Sequence, residues 1–264
     1  MKKELTFEES RNISLEILLD VADFCEKNDV RYYLACGTLL GAVRHGGFIP
    51  WDDDLDIMMP RPDFRRFLNE YISERYKICK PDEGRICYAK VYDTNTIKYE
   101  EGEDYKKYNP LGVDIDIFPL DGIVNDKEIV ERNYKRECFL EMLLRLSNQP
   151  IFYRKNPLKA INRIIPRTLG SKNIVKLIEK NAAQYDYDKS DYVVRMKRSL
   201  NGFTGALEKE VYDKDYLYFE GYQFCVPKGY DKWLTSFFGD YMQLPPEEKR
   251  VPSHIGNSYL IVEE

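Results

Sequence analysis

Histidine is nearly missing from this 264-residue chain, which has only two, and none of its six cysteines forms a C-x-x-C pair. Cys25, Cys36, Cys79, Cys87, Cys138 and Cys225 are scattered instead. That excludes the thiolate and imidazole clusters of zinc sites, and it predicts reduced, mostly buried thiols in a cytoplasmic protein. Long apolar runs are also missing. The longest, Tyr32 to Val43, falls well short of the ~20 residues a membrane span requires. Met1-Lys2-Lys3-Glu4 runs straight into an amphipathic segment, with no apolar core of the kind a secretory leader carries. There is no basic excess: 40 Lys and Arg against 45 Asp and Glu leave a net charge of −5. Nucleic acid is therefore not an expected partner, because cationic charge dominates that affinity. No internal repeat or low-complexity linker divides the chain. What remains is 43% hydrophobic and 14% aromatic, with 21 tyrosines, enough for a folded core and for clefts that hold rings, sugars or bases.

Thr6-x-x-Glu9 has the form of a capping box, and Ile13, Ile17, Leu18, Val21 and Phe24 follow at helical spacing, predicting a helix over 7–28. Arg31 to Cys36 reads as a strand and Leu39 to Arg44 as a short helix that Gly46-Gly47 ends. Leu55 to Met59 reads as a strand stopped by Pro60, and Phe64 to Ile72 as a helix. Strand signals dominate Arg75 to Ile117, most clearly at Ile86 to Tyr92 and Val113 to Phe118. Lys127 to about Leu146 returns to helical spacing. Residues 150–200 are basic, helix-prone and punctuated by Pro150, Pro157 and Pro166. A hairpin over Tyr218 to Val226 and an aromatic helix around Trp233, Phe237 and Phe238 complete the pattern. This order predicts an α+β protein with α/β-like character: a mixed sheet core flanked by helices, with a helical middle and C-terminal extension. The expected division is a core over 1–125 and an extension over 126–264 that completes the same domain.

Pro50-Trp51-Asp52-Asp53-Asp54-Leu55-Asp56-Ile57 is the most informative stretch. Residues two apart on a strand share a face, so Asp54 and Asp56 are expected to project together, with Leu55 and Ile57 opposite. Carboxylates held this close repel, and a divalent cation removes that cost. Oxygen ligands favour Mg²⁺ or Mn²⁺. An acidic run is often just a solvated turn, which suits Asp52-Asp53 alone, but the interleaved apolar residues argue against it for Asp54 and Asp56. A calcium loop is excluded because Ile57 stands where that loop needs glycine. A DxD glycosyltransferase remains a rival. In a second acidic strand, Val113-Asp114-Ile115-Asp116-Ile117, Asp114 and Asp116 share a face. Four carboxylates buried without partners would be costly, so a shared metal site is the better reading.

Gly37-Thr38 lies between a predicted strand and a short helix, where backbone N–H groups and a hydroxyl can cradle phosphate oxygens. Arg44, His45 and Lys90 could add positive charge there. A Gly-Thr pair alone is usually only a turn, each cation reads also as an ordinary surface charge, and for Lys90 alone that plainer reading prevails.

Gly37 to Asp56, then Asp116-Ile117-Phe118-Pro119-Leu120-Asp121, then Gly239 to Arg250, together resemble the LicD family of phosphocholine transferases, a fukutin-related branch of the nucleotidyltransferase superfamily. The resemblance runs from about residue 30 to 250, with no matching motif over 125–205. It implies a nucleotidyltransferase-like fold in which Gly37-Thr38, Asp54-x-Asp56 and a third acid form the site. Asp116, which begins the matching run, is the third acid implied, with Asp114 the alternative. The implied reaction transfers a phosphoryl-linked headgroup, such as phosphocholine from CDP-choline, to a hydroxyl of a cell-surface glycan. Teichoic acid, lipopolysaccharide or a lipid-linked precursor would be the acceptor. In it, Asp54, Asp56 and Asp116 hold Mg²⁺ or Mn²⁺, with Asp52 or Asp114 as further candidates. Asp116 helps deprotonate the acceptor, and Gly37, Thr38, Arg44, His45 and Lys90 contact the substrate. The rivals are a glycosyltransferase that would make a glycoside rather than a phosphodiester, and a degenerate glycan-binding member without activity. Intact Asp54, Asp56 and Asp116 speak against the latter.

Residues 153–180 carry Arg154, Lys155, Lys159, Arg163, Arg167, Lys172, Lys176 and Lys180, with Glu179 the only acid. Such asymmetry in an acidic chain points to an anionic partner. With Leu158, Ile161, Ile164 and Ile165 interleaved, the segment could lie peripherally on an anionic membrane at its cytoplasmic face. The plainer expectation, weighed slightly ahead, is that the isoleucines pack inward and the cations are solvated.

Overall fold

The Thr6 hydroxyl accepts the Glu9 N–H (3.1 Å) and the Glu9 carboxylate accepts the Thr6 N–H (2.8 Å), closing the capping box that starts α1, Phe7–Lys27. Ile17, Leu18, Val21 and Cys25 of this helix are fully enclosed by the protein core. The computed structural model describes residues 2–100, 103–150, 157–195, 205–251 and 256–261, with side chains in the helix beginning at 157 described from residue 162. Its fold is α+β.

The central sheet carries the site. β2 (Tyr33–Leu34), β3 (Asp56–Pro60), β4 (Tyr76–Cys79), β5 (Ala89–Asp93) and β7 (Asp114–Ile123) lie in the order β2-β3-β7-β5-β4. Only the β3–β7 pair among these is parallel, which makes the sheet mixed. β7 is long enough to pair also, through Asp121 to Ile123, with β8 (Tyr192–Val194), which in turn pairs with β9 (Leu207–Glu208). Two smaller sheets complete the pattern. One is β1 (Lys2–Glu4), β12 (Gly256–Ile261) and β6 (Thr96–Glu100); the other is the hairpin β10 (Lys214–Phe219) and β11 (Tyr222–Pro227). The two-residue hairpin loop, Glu220-Gly221, has both residues at positive φ (50° and 81°), the turn whose twist matches that of the strands it joins.

Helices α2 (Cys36–His45), α3 (Arg61–Glu70), α4 (Lys127–Asn148), α5 (Pro157–Leu169), α6 (Ser171–Ala182) and α7 (Tyr230–Phe238) flank these sheets. Most predicted elements agree in type with those observed, with shifts at their ends; within the helix-prone stretch 150–200, however, Tyr192–Val194 is a strand, and residues 151–156 and 196–200 lie outside the described residues. The strand expected over Arg31 to Cys36 shrinks to Tyr33–Leu34, because Cys36 already begins α2 at φ 46°. The predicted strand over Ile86 to Tyr92 starts only at Ala89.

One core joins both ends of the chain. Leu34, Ile57 and Ile117 belong to the same buried cluster as Tyr187, Leu207, Phe224 and Trp233. A separate small cluster, Leu140, Leu144, Ile174, Val175 and Ile178, packs α4 against α6. Fully burying one such side chain stabilises by about 1.5–3 kcal/mol, so the C-terminal elements help hold the central sheet. Among the described residues no helix is long and apolar enough to cross a membrane.

Candidate active site

The site begins with backbone geometry. Asp56 and Asp116 are direct partners across the parallel β3–β7 pair, so their side chains leave neighbouring strands at the same level. The Thr38 hydroxyl accepts the Asp56 N–H (2.7 Å), the Asp56 carbonyl accepts the Ala35 N–H (2.9 Å), and the Leu55 carbonyl accepts the Asp116 N–H (2.9 Å). The first turn of α2 is thereby tied to the edge of both acidic strands. Asp54 precedes β3 rather than lying within it. Even so, Asp54, Asp56 and Asp116 line one cavity of about 940 Å³, together with Asp52, Gly37 and Arg44.

The loop bearing Asp52 to Asp54 is fixed from three directions. Arg11 of α1 donates to the Asp52 carbonyl (2.8 Å) and to the Ile49 carbonyl. Glu220, in the hairpin turn, accepts the Phe48 N–H (2.9 Å) and donates its own N–H to the Gly46 carbonyl (3.0 Å). A side chain at Gly47 would collide with the Glu220 carboxylate (2.1 Å), so this clamp requires glycine. On the third side Arg250 lies over the Trp51 ring (5.8 Å) while its Nε donates to the Pro245 carbonyl (2.8 Å). Arg44 donates to the Tyr241 carbonyl (2.7 Å). Together these fold the 240–250 segment over the cavity, and Tyr241, Gln243 and Leu244 form part of its wall.

The donor chemistry fits a hard divalent cation. The carboxylates of Asp52, Asp53 and Asp54 can each offer an oxygen within 4.8 Å of the others, and Asp56 and Asp116 face the same cavity. Among the described residues, Asp54, Asp56 and Asp116 do not themselves form so tight a group. Asp116 Oδ1 lies 2.9 Å from Lys90 Nζ. Gly37 stands directly against this cluster: a Cβ there would sit 2.3 Å from Asp52 Oδ2.

Several predicted contacts are placed elsewhere. Asp114 is buried off the cavity wall, paired with Lys90 (2.6 Å) and Lys98 (2.9 Å). Burial opposes its charge, but the two ammonium groups outweigh it and hold the carboxyl well below its usual range. In this arrangement both of its carboxylate oxygens face lysines rather than the cavity acids. Lys90 does not reach the cavity as a phosphate contact, because it is locked between Asp114 and Asp116; against burial, these acids push its pKa well up. Thr38 is buried, and its hydroxyl serves Asp56 rather than the cavity. His45 is not on the wall either. It accepts a long hydrogen bond from Arg44 (3.4 Å) and meets the Trp51 ring edge-on, and burial, then Arg44, lower its pKa. Gly37 and Arg44 do line the cavity.

Sequence reasoning missed Arg195, Tyr88, Phe118 and Phe237 as parts of this wall. Arg195 stacks between Phe118 and Phe237, 5.0 Å from each ring centre.

A cavity that gathers several carboxylates beside the parallel β3–β7 pair is the kind of site that phosphoryl transfer uses. Residues 29–155 match the domain described as LicD/FKTN/FKRP, nucleotidyltransferase domain. Over 98% of its length the chain is 32% identical to the lipopolysaccharide cholinephosphotransferase LicD of Haemophilus influenzae, all of which it covers. It belongs to the LicD family. Shorter similarities accompany this one. A stretch of 37 residues, 14% of this chain and 8% of the relative, is 54% identical to human ribitol 5-phosphate transferase FKRP. Another, of 80 residues, is 39% identical to an uncharacterized protein of Rickettsia typhi, covering 29% of this chain and 26% of that protein.

Proposed function

We propose that this chain is a metal-dependent phosphotransferase that moves phosphocholine from CDP-choline to a hydroxyl of a cell-surface glycan, lipopolysaccharide or teichoic acid. The observation that carries this reading is the single cavity that gathers Asp52, Asp54, Asp56 and Asp116 beside aromatic walls. Similarity along the whole chain to a lipopolysaccharide cholinephosphotransferase supports it. The rings of Trp51, Tyr88, Phe118, Phe238 and Tyr241 around the cavity suit a quaternary ammonium, which binds to aromatic faces.

Asp54, Asp56 and Asp116, with Asp52 adjoining, would hold Mg²⁺ or Mn²⁺. Bound there, the cation would neutralise charge developing on the nucleoside monophosphate leaving group. Asp116 takes the proton of the acceptor hydroxyl, whose oxygen attacks phosphorus as the bond to CMP breaks. Gly37 lets the α2 backbone approach the Asp52 side of the site, and Arg44 supplies positive charge to the donor phosphates. The expected location is the cytoplasm, peripherally at the inner membrane face, where a lipid-linked acceptor would be presented.

The test is CMP release from CDP-choline, CDP-ethanolamine and CDP-ribitol with Mg²⁺ and a lipopolysaccharide or teichoic acid acceptor. CDP-choline should be preferred, and Asp56→Asn should cost at least about two orders of magnitude in kcat. Turnover that persists in excess EDTA removes the metal. Release of nucleotide from UDP-sugars alone moves the chain to the glycosyltransferases.

A further inference from the structure

We infer that Arg195 is a further anion-binding residue of this cavity, in addition to Arg44, and takes a phosphate oxygen of a nucleoside-diphosphate-linked donor. The inference rests on the proposed function for the identity of the donor, but its physical basis is separate.

Arg195 is 7% exposed, and it lines the same cavity as Asp54, Asp56 and Asp116. A buried guanidinium is costly unless an opposite charge or hydrogen-bond acceptors meet it. Among the described residues no carboxylate forms an ion pair with Arg195. Two acids that share a cavity wall with Arg195 are engaged elsewhere: Asp116 by Lys90 (2.9 Å), and Asp121 by a two-pronged contact with Arg61 (2.7 Å for each hydrogen bond). What Arg195 does have is two ring faces, those of Phe118 and Phe237. Contact with ring faces engages the guanidinium's charge and not its N–H donors, which stay available to an acceptor.

A phosphate oxygen fits that description, because the guanidinium fork matches phosphate geometry. The placement is also chemically consistent. The carboxylates form one wall of the cavity and require a cation between themselves and a phosphate; Arg195 can meet a phosphate directly. Phe118 follows Asp116 by two residues on β7, so the strand that presents the acid also presents one of the rings that hold Arg195. Phe237 comes from α7, so the C-terminal part of the chain supplies the other half of the clamp.

The probes are inorganic pyrophosphate and CDP, titrated calorimetrically into the full chain in EDTA, so that no metal contributes. Arg195→Met keeps the stem between the two rings and removes the charge. It should weaken both ligands about 10- to 100-fold, as expected for loss of a charge-assisted hydrogen bond, while the melting temperature holds or rises. Arg195→Lys should fall between the two, since it keeps charge but loses the fork. If the Met variant fails to fold, the Lys variant carries the test, with at least a threefold loss expected. Unchanged affinity in either folded variant overturns the inference and leaves Arg195 a packing residue. The two readings fail separately. If no CDP-linked donor is turned over but pyrophosphate binding still depends on Arg195, the function is wrong and the anion site stands. Normal CMP release with an unaltered donor KM in Arg195→Met leaves the function and sinks the anion site.

Discussion

Replacing Lys90 with methionine separates a lysine that binds substrate from one that holds acids in place. Its ammonium lies 2.6 Å from Asp114 and 2.9 Å from Asp116, in a side chain only 12% exposed. Removing one partner of a buried ion pair typically costs about 3–5 kcal/mol, because the remaining charge is stranded. Asp114 keeps Lys98 at 2.9 Å, which softens the loss on that side, whereas Asp116 faces the cavity acids with its lysine gone. The lower half of the range, about 3–4 kcal/mol, is therefore expected. For a chain of this size that corresponds to a fall in melting temperature of roughly 6–16 °C, readable by calorimetry or circular dichroism. Because Lys90 is not on the cavity wall, affinity for pyrophosphate in the folded variant should change by less than about threefold. A tenfold loss of affinity with an unchanged melting temperature would refute this reasoning and return Lys90 to the phosphate.

Two further outcomes follow from other parts of the fold. Glu137 is buried and hydrogen-bonded by Asn181 (2.8 Å); burial pushes its pKa up to about 8 from an ordinary value near 4.5. The folded protein then keeps a proton there that the unfolded chain has released, so stability contributed by this group is full below pH 4.5 and declines as pH rises toward 8. Glu137→Gln should flatten that decline, by up to about 1.4 kcal/mol per pH unit, in melting temperatures recorded from pH 5 to 9; equal slopes in the two proteins would reject it. The basic segment gives the other outcome, as Lys172, Lys176 and Lys180 are exposed on one face of α6. If it docks on anionic vesicles, sedimentation should be salt-sensitive and weaken at least about 30-fold in Lys172→Glu plus Lys176→Glu, since each lysine near such a surface contributes about 1 kcal/mol. Wild-type protein that ignores the vesicles at low salt ends the idea.

Much of the fold was legible because its signals are local. The Thr6–Glu9 capping box, the apolar spacing behind it and the alternation at Asp114 to Ile117 each need only a few neighbouring residues. The acidic stretch was legible for the same reason. What the sequence could not show was register. Asp114 and Asp116 share a face, as expected, but Lys90 is opposite Asp116 across the β5–β7 pair, and that places a cation between the two acids. Nor does periodicity reveal that Thr38 would spend its hydroxyl on the Asp56 backbone. In α5 the pattern misled. Arg163 is buried, as is Pro166, whereas Ile164 and Ile165 are 54% and 69% exposed, the reverse of the expected inward-facing isoleucines. Arg167 is bound to Asp104 (3.1 Å). Leu158, Lys159 and Ile161 have side chains outside the described residues, as do Arg154 and Lys155.

The site also depends on chain far from its acidic motif. The stretch 46–54 is held by Arg11 from α1, Glu220 from the hairpin turn and Arg250 from the last loop. All three lie outside the matched domain of residues 29–155, two of them toward the C-terminus, where Arg195, Phe237 and Tyr241 of the cavity wall also lie. That distribution gives a physical reason for similarity to the Haemophilus influenzae enzyme to run over nearly the entire chain, while the similarity to human FKRP covers 37 residues. A short acidic motif can be shared by proteins that differ in almost everything else. A cavity closed by a C-terminal segment and an aromatic clamp must be shared along the chain or not at all. The acids of the cavity that precede residue 155 are Asp52, Asp54, Asp56 and Asp116, whereas Arg195, Phe237 and Tyr241 follow it, so the site is assembled only when both parts of the chain are folded together.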